Sequence, residues 1–359
     1  MKALITAGGR GTRLRPLTHT RNKHLIPIAN KPMIHYAIEA VAAAGIRDIG
    51  VSINPDTGAD LQKALGSGEA WGVRLTYIVQ EAPIGLAHVL RVAEAFLGGE
   101  RFVFYLGDNL IVGGITRFVQ CFAADGDACH LVLARVHDPQ RFGVAEVCDG
   151  RVVRVEEKPL QPASDLAVTG IYCYTPAIFE AVHAIRPSAR GELEISDAHQ
   201  YLIEHGHQVS FSEATGWWKD TGKPEDLLEA NRVVLDMMLP GLSPEIHGKV
   251  DASSDIAGKV IVEPGAAVIA SQIRGPAIIG AHTQVQGSYI GPYTSLGAHC
   301  LVRNSEVEYS IICPGAQILD VPVRIERSLL GREVVIRRGH TRPMTQKFII
   351  GDQSTLELV

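Results

Sequence analysis

The residues best equipped for chemistry cluster at the start of the chain. An apolar run, Ala3 to Thr6, leads into Gly8-Gly9-Arg10-Gly11-Thr12-Arg13-Leu14-Arg15-Pro16-Leu17-Thr18. Glycines directly after a strand let backbone N–H groups approach phosphate oxygens with no side chain in the way. Five cations (Arg10, Arg13, Arg15, Arg21, Lys23) fall within fourteen residues of a chain whose formal net charge is −5. Positive charge concentrated like this suits a polyphosphate. It matches neither common phosphate loop. A dinucleotide fingerprint counted from Gly9 meets Leu14 at its third glycine, and a Walker loop from Gly216 to Lys223 is one residue too long, with Pro224 at the hydroxyl position.

Other candidates are more scattered. Asp108, in Leu106-Gly107-Asp108-Asn109, follows an apolar strand at the edge where open α/β sheets place ligands. A strand-end aspartate either caps a turn or ligates a hard cation such as Mg²⁺, which one or two carboxylates plus phosphates usually hold. Gln80 precedes Pro83-Ile84-Gly85, and one amide offers the donor and acceptor that suit the edge of thymine or uracil. Glu157-Lys158-Pro159 supplies a carboxylate for paired hydroxyls and a cation for a phosphate; its plain alternative is a solvated charged turn. No Ser/His/Asp or Cys/His arrangement stands out, and the His205/His207 pair lacks metal-ligand company.

These residues need a scaffold of alternating elements. Strand-like runs at Ala3–Thr6, Ile49–Ile53, Leu75–Val79 and Phe102–Leu106 are separated by amphipathic stretches at Pro32–Ala44, Thr57–Leu65 and Gly85–Leu97. That order predicts an α/β fold with a mostly parallel, Rossmann-like sheet covered on both faces. From about residue 128 the pattern turns antiparallel, with Asp149-Gly150 a two-residue hairpin turn. A helix over 224–238 ends at Pro240-Gly241.

Beyond it the chain repeats. Ile256, Ile273, Ile290 and Val307 are 17 residues apart, as are Val262, Ile279 and Leu296, and Val268, Val285 and Val302. Three apolar columns per coil predict a parallel β-helix, with Gly265-Ala266, Gly280-Ala281, Gly297-Ala298 and Gly315-Ala316 at corners. His282 and His299, also 17 apart, should stack on neighbouring coils. The expected domains are 1–240 and 241–359.

Composition narrows the class. The chain has 359 residues, 46% of them hydrophobic and 20% charged, with 34 basic against 39 acidic side chains. Such length and apolarity support two folded domains, and the charge balance argues against a nucleic-acid partner. No apolar run reaches the length of a membrane span. Six cysteines (121, 129, 148, 173, 300, 313) without a CxxC fit reduced thiols in a cytoplasmic protein.

Nine ordered segments over residues 2 to about 235 carry a family likeness: AGGRGTRLRPLT, KHLIPIANKPM, QEAPIGLA, LGDN, RFGVAEV, EEKP, AVTGIY, RGELEISD and WWKDTG. The sequence resembles the sugar nucleotidyltransferases, more closely the long form of their thymidylyl-transferring branch. The resemblance implies a Mg²⁺-dependent enzyme that joins dTTP to α-D-glucose 1-phosphate and expels pyrophosphate. It implies Arg13 and Lys23 as catalytic cations and Asp108 and Asp220 as metal ligands. Gly8, Gly9, Gly11, Thr12, Gln80, Pro83 and Gly85 would bind the nucleotide. Asn109, Gly143, Glu157, Lys158, Val168 (through its backbone), Thr169, Tyr172 and Trp218 would bind the sugar phosphate. The appended repeat would be a left-handed β-helix serving as a structural cap or packing protomers into a homo-oligomer. A histidine-dependent acyltransferase there is the lesser reading. Alternatives are a pyrophosphorylase for UTP or another sugar 1-phosphate, and a non-catalytic regulatory relative. His24 stands where the family more often has glutamine, Asn22 where it has a small residue, and Lys219 fills a slot that is apolar in the short form.

Overall fold

In the computed structural model, residues 1–238, Gly241 and 243–339 are described. Pro240, the expected helix stop, and the C-terminal stretch 346–359 lie outside them. Packing separates two compact units. One comprises Met1–Arg10, Thr20–Leu25 and Met33–Asp220; the other comprises Gly11–His19, Ile26–Pro32 and the described residues from Thr221 onward.

The first unit is α/β. Its elements begin with β1 (Lys2–Thr6); a small hairpin of the second unit, β2 (Pro27–Ile28) and β3 (Lys31–Pro32), precedes α1 (Met33–Ala43). Then come β4 (Asp48–Ile53), α2 (Gly58–Leu65), β5 (Arg74–Val79), α3 (Leu86–Leu97), β6 (Phe102–Leu106), β7 (Asn109–Ile111) and α4 (Thr116–Ala124). After these follow β8 (Cys129–Arg135), β9 (Gly143–Cys148), β10 (Arg151–Glu157), β11 (Leu166–Tyr174), α5 (Ile178–Ala184), α6 (Ile195–Glu204), β12 (Val209–Glu213) and β13 (Trp218–Asp220).

The main sheet runs β10-β9-β11-β6-β1-β4-β5, with β8 on β11 and β12 on β8. β1, β4, β5 and β6 are parallel, so their C-terminal ends lie along one edge. β11 is antiparallel to β6, β8 and β9. The antiparallel pattern expected after residue 128 has one exception, since β12 pairs with β8 in parallel. Alternate residues of β1 face opposite sides: Leu4 joins the core under α3, α5 and α6, while Ala3 and Ile5 join that under α1, α2 and α4. That two-sided burial is what makes the parallel strands read as continuous apolar runs. Asp149 and Gly150 have φ values of 49° and 75°, the left-handed pair a type I′ hairpin turn requires between β9 and β10.

In the second unit, α7 (Pro224–Val233) is prolonged by one wider turn, Val234–Met238. The repeat then winds into three parallel sheets of six, six and five short strands, the arrangement of a left-handed parallel β-helix. The columns pair as the spacing required: Ile256 with Ile273, Ile273 with Ile290, Val262 with Ile279, and Val285 with Val302. Past Val307 the coil length varies, because Val302 pairs with Ile318 and Val307 with Ile325.

The four Gly-Ala pairs take two registers at their corners. The left-handed position is occupied by Gly265, His282, His299 and Gly315, so the four Gly-Ala pairs do not form one column. The two histidine rings do stack, 5.0 Å apart and 11° from parallel, on the exposed surface. A second corner is a ladder of serines 17 residues apart. Ser254, Ser271 and Ser288 each accept the N–H of the next serine in the column at 3.0–3.2 Å, and Ser305 accepts that of Val321. A turn takes these N–H groups away from the strand ladder, and the hydroxyl replaces the missing acceptor. None of the six cysteines, all among the described residues, forms a disulfide.

Candidate active site

The parallel strand ends deliver the chemical groups. β1 runs out into Ala7-Gly8-Gly9, β4 into Asn54, β5 into Gln80 and β6 into Gly107-Asp108. Gly8 is held by Asn54, whose Nδ2 donates to its carbonyl at 2.9 Å. A Cβ on Gly8 would stand 3.4 Å from Gln80 Oε1, and one on Gly9 would stand 3.0 Å from Lys23 Cε. Bare backbone therefore faces the amide and the ammonium stem.

Lys23 forms an ion pair with Asp108, both side chains largely buried. Burial alone pushes the Asp108 carboxyl up, but the Lys23 ammonium and its hydrogen bond outweigh that and hold it well below the usual carboxylate range. The other oxygen of Asp108 accepts from Asn109 Nδ2 at 3.2 Å, and Asn109 Oδ1 accepts from Trp218 Nε1 at 2.8 Å. Trp218 lies edge-on to Phe142. β13 pairs antiparallel with β7, setting Asp220 opposite Asn109. Asp108, in the turn just before β7, and Asp220, 112 residues later in sequence, are thus brought to the same end of this strand pair.

At the end of β5, Gln80 is buried and its Nε2 is engaged with His88 Nδ1 at 3.1 Å and the Gly85 carbonyl at 3.4 Å. Gly85 has φ 111°, and a Cβ there would lie 2.6 Å from the Leu193 nitrogen, so no side chain fits. Pro83 is exposed in the intervening loop.

A third group forms on the antiparallel strands. Glu157 accepts from Ser196 Oγ at 2.7 Å and pairs with Arg190 at 3.1 Å and Lys158 at 3.2 Å. With Lys158, Arg190, Glu194, Asp197 and Gln200 it borders a cleft of about 580 Å³. Gly143 is buried beneath it, and a Cβ there would stand 2.6 Å from Ser196 Oγ. β11 is bulged between Val168 and Tyr172. Inside the bulge the Thr169 hydroxyl donates to the Val132 carbonyl at 2.8 Å, and the Val168 side chain packs in the core. Tyr172 is buried against Phe104 and Tyr174, and burial, followed by the Glu157 charge, holds its phenol well above the ordinary range.

Gly11, Thr12 and Arg13 group with the second unit. Gly11 is left-handed at φ 61°, its carbonyl accepts from Thr18 Oγ1 at 2.7 Å, and the exposed Arg13 guanidinium lies against Gly222. Residues without an assigned role in the sequence reading also support the site, among them His88, Asn54, Arg190 and Ser196. The last two lie inside the RGELEISD segment, so the motif was visible but its partners were not.

The nucleotidyl transferase family profile matches residues 2–237. The chain belongs to the nucleotidyl transferase family. A glucose-1-phosphate thymidylyltransferase of Streptomyces griseus is 48% identical over 359 residues, all of this chain and 99% of that protein. A low-salt glycan biosynthesis nucleotidyltransferase of Haloferax volcanii is 40% identical over the full length of both chains. A solved structure from Bacillus anthracis, assigned to glucose-1-phosphate thymidylyltransferase and holding sucrose, aligns with TM-score 0.63 at 39% identity. That alignment covers 96% of its chain but 66% of this one, while the Streptomyces relative spans the whole, β-helix included. Among nucleotidyl transferases this chain is therefore a long form. No described helix is long and apolar enough to cross a membrane.

Proposed function

We propose that the chain transfers a thymidylyl group from dTTP to α-D-glucose 1-phosphate, forming dTDP-glucose and pyrophosphate. The observation that carries this reading is the buried Lys23–Asp108 pair at the parallel strand ends, with Asp220 on β13 opposite Asn109, the residue after Asp108. The full-length likeness to the Streptomyces griseus protein supports the substrates. The attacking phosphate oxygen is already ionised at neutral pH, so no general base is required. What remains is alignment and charge neutralisation.

The donor set suits Mg²⁺: two hard carboxylate oxygens, Asp108 and Asp220, leave the remaining positions to phosphates and water. Bound there, the ion neutralises charge on the phosphate oxygens. Lys23 stabilises the oxygens of the reacting phosphorus, and Arg13 those of the leaving pyrophosphate. Gly8, Gly9, Gly11 and Thr12 present backbone N–H groups to the triphosphate. With its Nε2 engaged, Gln80 offers Oε1 to the base N–H, beside Pro83 and the Gly85 backbone. Glu157 binds sugar hydroxyls and Lys158 the sugar phosphate. Asn109, Gly143, Val168, Thr169, Tyr172 and Trp218 shape the sugar subsite, Thr169 through its backbone because its hydroxyl is already committed. In-line attack inverts configuration at the α-phosphorus. On this reading residues 1–240 are the catalytic domain of a cytoplasmic homo-oligomer, and 241–359 a β-helix that packs protomers.

The test is pyrophosphate release with each nucleoside triphosphate against glucose, N-acetylglucosamine and mannose 1-phosphates. The expected result is strongest release with dTTP and glucose 1-phosphate, abolished by a chelator. Because one methyl group separates thymine from uracil, worth ~1–3 kcal/mol in a pocket, UTP is the competitor to measure. Asp108→Asn should lower kcat by about 10²–10³-fold with the fold intact by circular dichroism. No release with any pair would leave the non-catalytic alternative, against which Arg13, Lys23, Asp108 and Asp220 all stand.

A further inference from the structure

One buried side chain of the second unit has no part in the chemistry above. Asn231, on α7, is fully buried. Its Oδ1 accepts the Ala29 N–H at 2.8 Å and the Ser295 hydroxyl at 3.0 Å, and its Nδ2 donates to the Tyr293 carbonyl at 3.1 Å. Beside it, Asn30 Nδ2 donates to the Leu296 carbonyl at 2.7 Å. Ala29 and Asn30 are the tip of the β2–β3 hairpin, with φ values of 48° and 62°. Four hydrogen bonds therefore join three pieces distant in sequence: the hairpin, α7 and the β-helix coil at 293–296.

The two ends of this junction lead to the two proposed catalytic cations. The hairpin tip is six residues downstream of Lys23 along the chain. Gly222 lies just before α7, and a Cβ there would stand 2.8 Å from Arg13 Nη2, so the guanidinium rests on bare backbone. Only an amide of asparagine length accepts from Ala29 and Ser295 while donating to Tyr293; an aliphatic side chain of equal size would take this partner from the buried Ser295 hydroxyl and from the half-buried Ala29 N–H and Tyr293 carbonyl.

We propose that Asn231 is a positioning residue for the nucleotidyl transfer, tying the hairpin after Lys23 and the helix behind Arg13 to one rigid coil of the β-helix. This rests on the functional reading above. A coil stacked on its neighbours resists displacement more than a free loop, and a misplacement near 1 Å can cost ~10²-fold in rate. The β-helix then contributes to turnover directly, as a reference frame for the phosphate loop.

The experiment compares the full-length parent with Asn231→Ala, Asn30→Gly and Ser288→Ala. Glycine keeps the left-handed tip and removes only the tether. Ser288→Ala breaks the serine ladder on another corner and reports on β-helix stability alone. Steady-state kcat and KM for dTTP and glucose 1-phosphate are measured with Mg²⁺, alongside hydrogen exchange of the 26–32 peptide and the thermal midpoint. The tether variants should raise exchange in 26–32 and lower kcat by about 10–100-fold, with KM for glucose 1-phosphate within about twofold of the parent. Ser288→Ala should lower the midpoint and leave kcat unchanged. Unchanged exchange in both tether variants, kcat within about twofold of the parent in both, or an equal loss in Ser288→Ala would each overturn the proposal. A parent that releases no pyrophosphate overturns the functional reading instead, before any variant is compared.

Discussion

Lys23 and Asp108 neutralise each other in a site from which water is largely removed, and their immediate neighbour His24 adapts to that pair. His24 is buried, and its Nδ1 donates to Asn22 Oδ1 at 2.7 Å. Asn22 Nδ2 in turn donates to the Ala7 carbonyl and to Thr57 Oγ1. Burial, and then the Lys23 charge, lower the His24 pKa to about 3 from an unperturbed 6.5. The folded state therefore refuses a proton that the unfolded chain accepts between those values. Stability from this group is intact above pH 6.5 and lost as pH falls toward 3, at ~1.4 kcal/mol per pH unit. His24→Gln should flatten the pH dependence of unfolding free energy by about that slope, read from urea titrations at several pH values from 4.5 to 7.5. An identical slope in variant and parent would contradict the neutral buried imidazole. The two departures from the family pattern, Asn22 and His24, thus satisfy each other and brace the loop that holds Lys23.

At the scale of elements, the proposed sugar subsite depends on three pieces converging: β9, the end of β10 and the start of α6. Gly143 opens β9, Glu157 ends β10, and Ser196 lies in the first turn of α6. Their closeness explains the glycine, since a Cβ would intrude between Ser196 Oγ at 2.6 Å and Glu157 Oε2 at 3.3 Å. Gly143→Ala should raise KM for glucose 1-phosphate about tenfold, ~1.4 kcal/mol, and leave KM for dTTP unchanged. Initial-rate measurements varying each substrate separate the two, and an equal change in both constants would refute the assignment. The bulge in β11 belongs to the same design. It commits the Thr169 hydroxyl to Val132 and lets Gly170 pass close to Asn109; a Cβ on Gly170 would stand 2.7 Å from Asn109 Nδ2.

Over the whole molecule, a sheet protein with helices on both faces is followed by a repeat whose stability is additive along its axis. Each coil contributes apolar residues to one shared core, Val262, Val268 and Ile273 in one turn and Ile279, Val285 and Ile290 in the next. The serine corners complete the hydrogen bonding that the apolar columns leave open. Ser288 is buried, donates to the Gln286 carbonyl at 2.8 Å and accepts the Ser305 N–H at 3.2 Å. Ser288→Ala strands that N–H, which should cost about 1–3 kcal/mol and appear as a lower chemical-denaturation midpoint. No change in midpoint would show that the ladder is replaceable.

Much of this protein was legible from its residues alone. Strand–helix alternation, the Asp149-Gly150 turn and the 17-residue columns are local or periodic signals, and each reappears in the fold because a buried face must repeat with its element's period. The glycine- and arginine-rich start and the nine ordered motifs marked the family for the same reason: contiguous residues carry them. The serine ladder had an equally regular spacing but no apolar signature, so periodicity of hydrophobicity passed over it. Tertiary structure alone decided which distant groups meet. It set Asp220 opposite Asn109, placed Arg190 and Ser196 on Glu157, and buried Asn231 between a hairpin and a coil. Strand register and the pairing of buried polar atoms are settled by long-range packing and desolvation, and neither leaves a pattern among neighbouring residues.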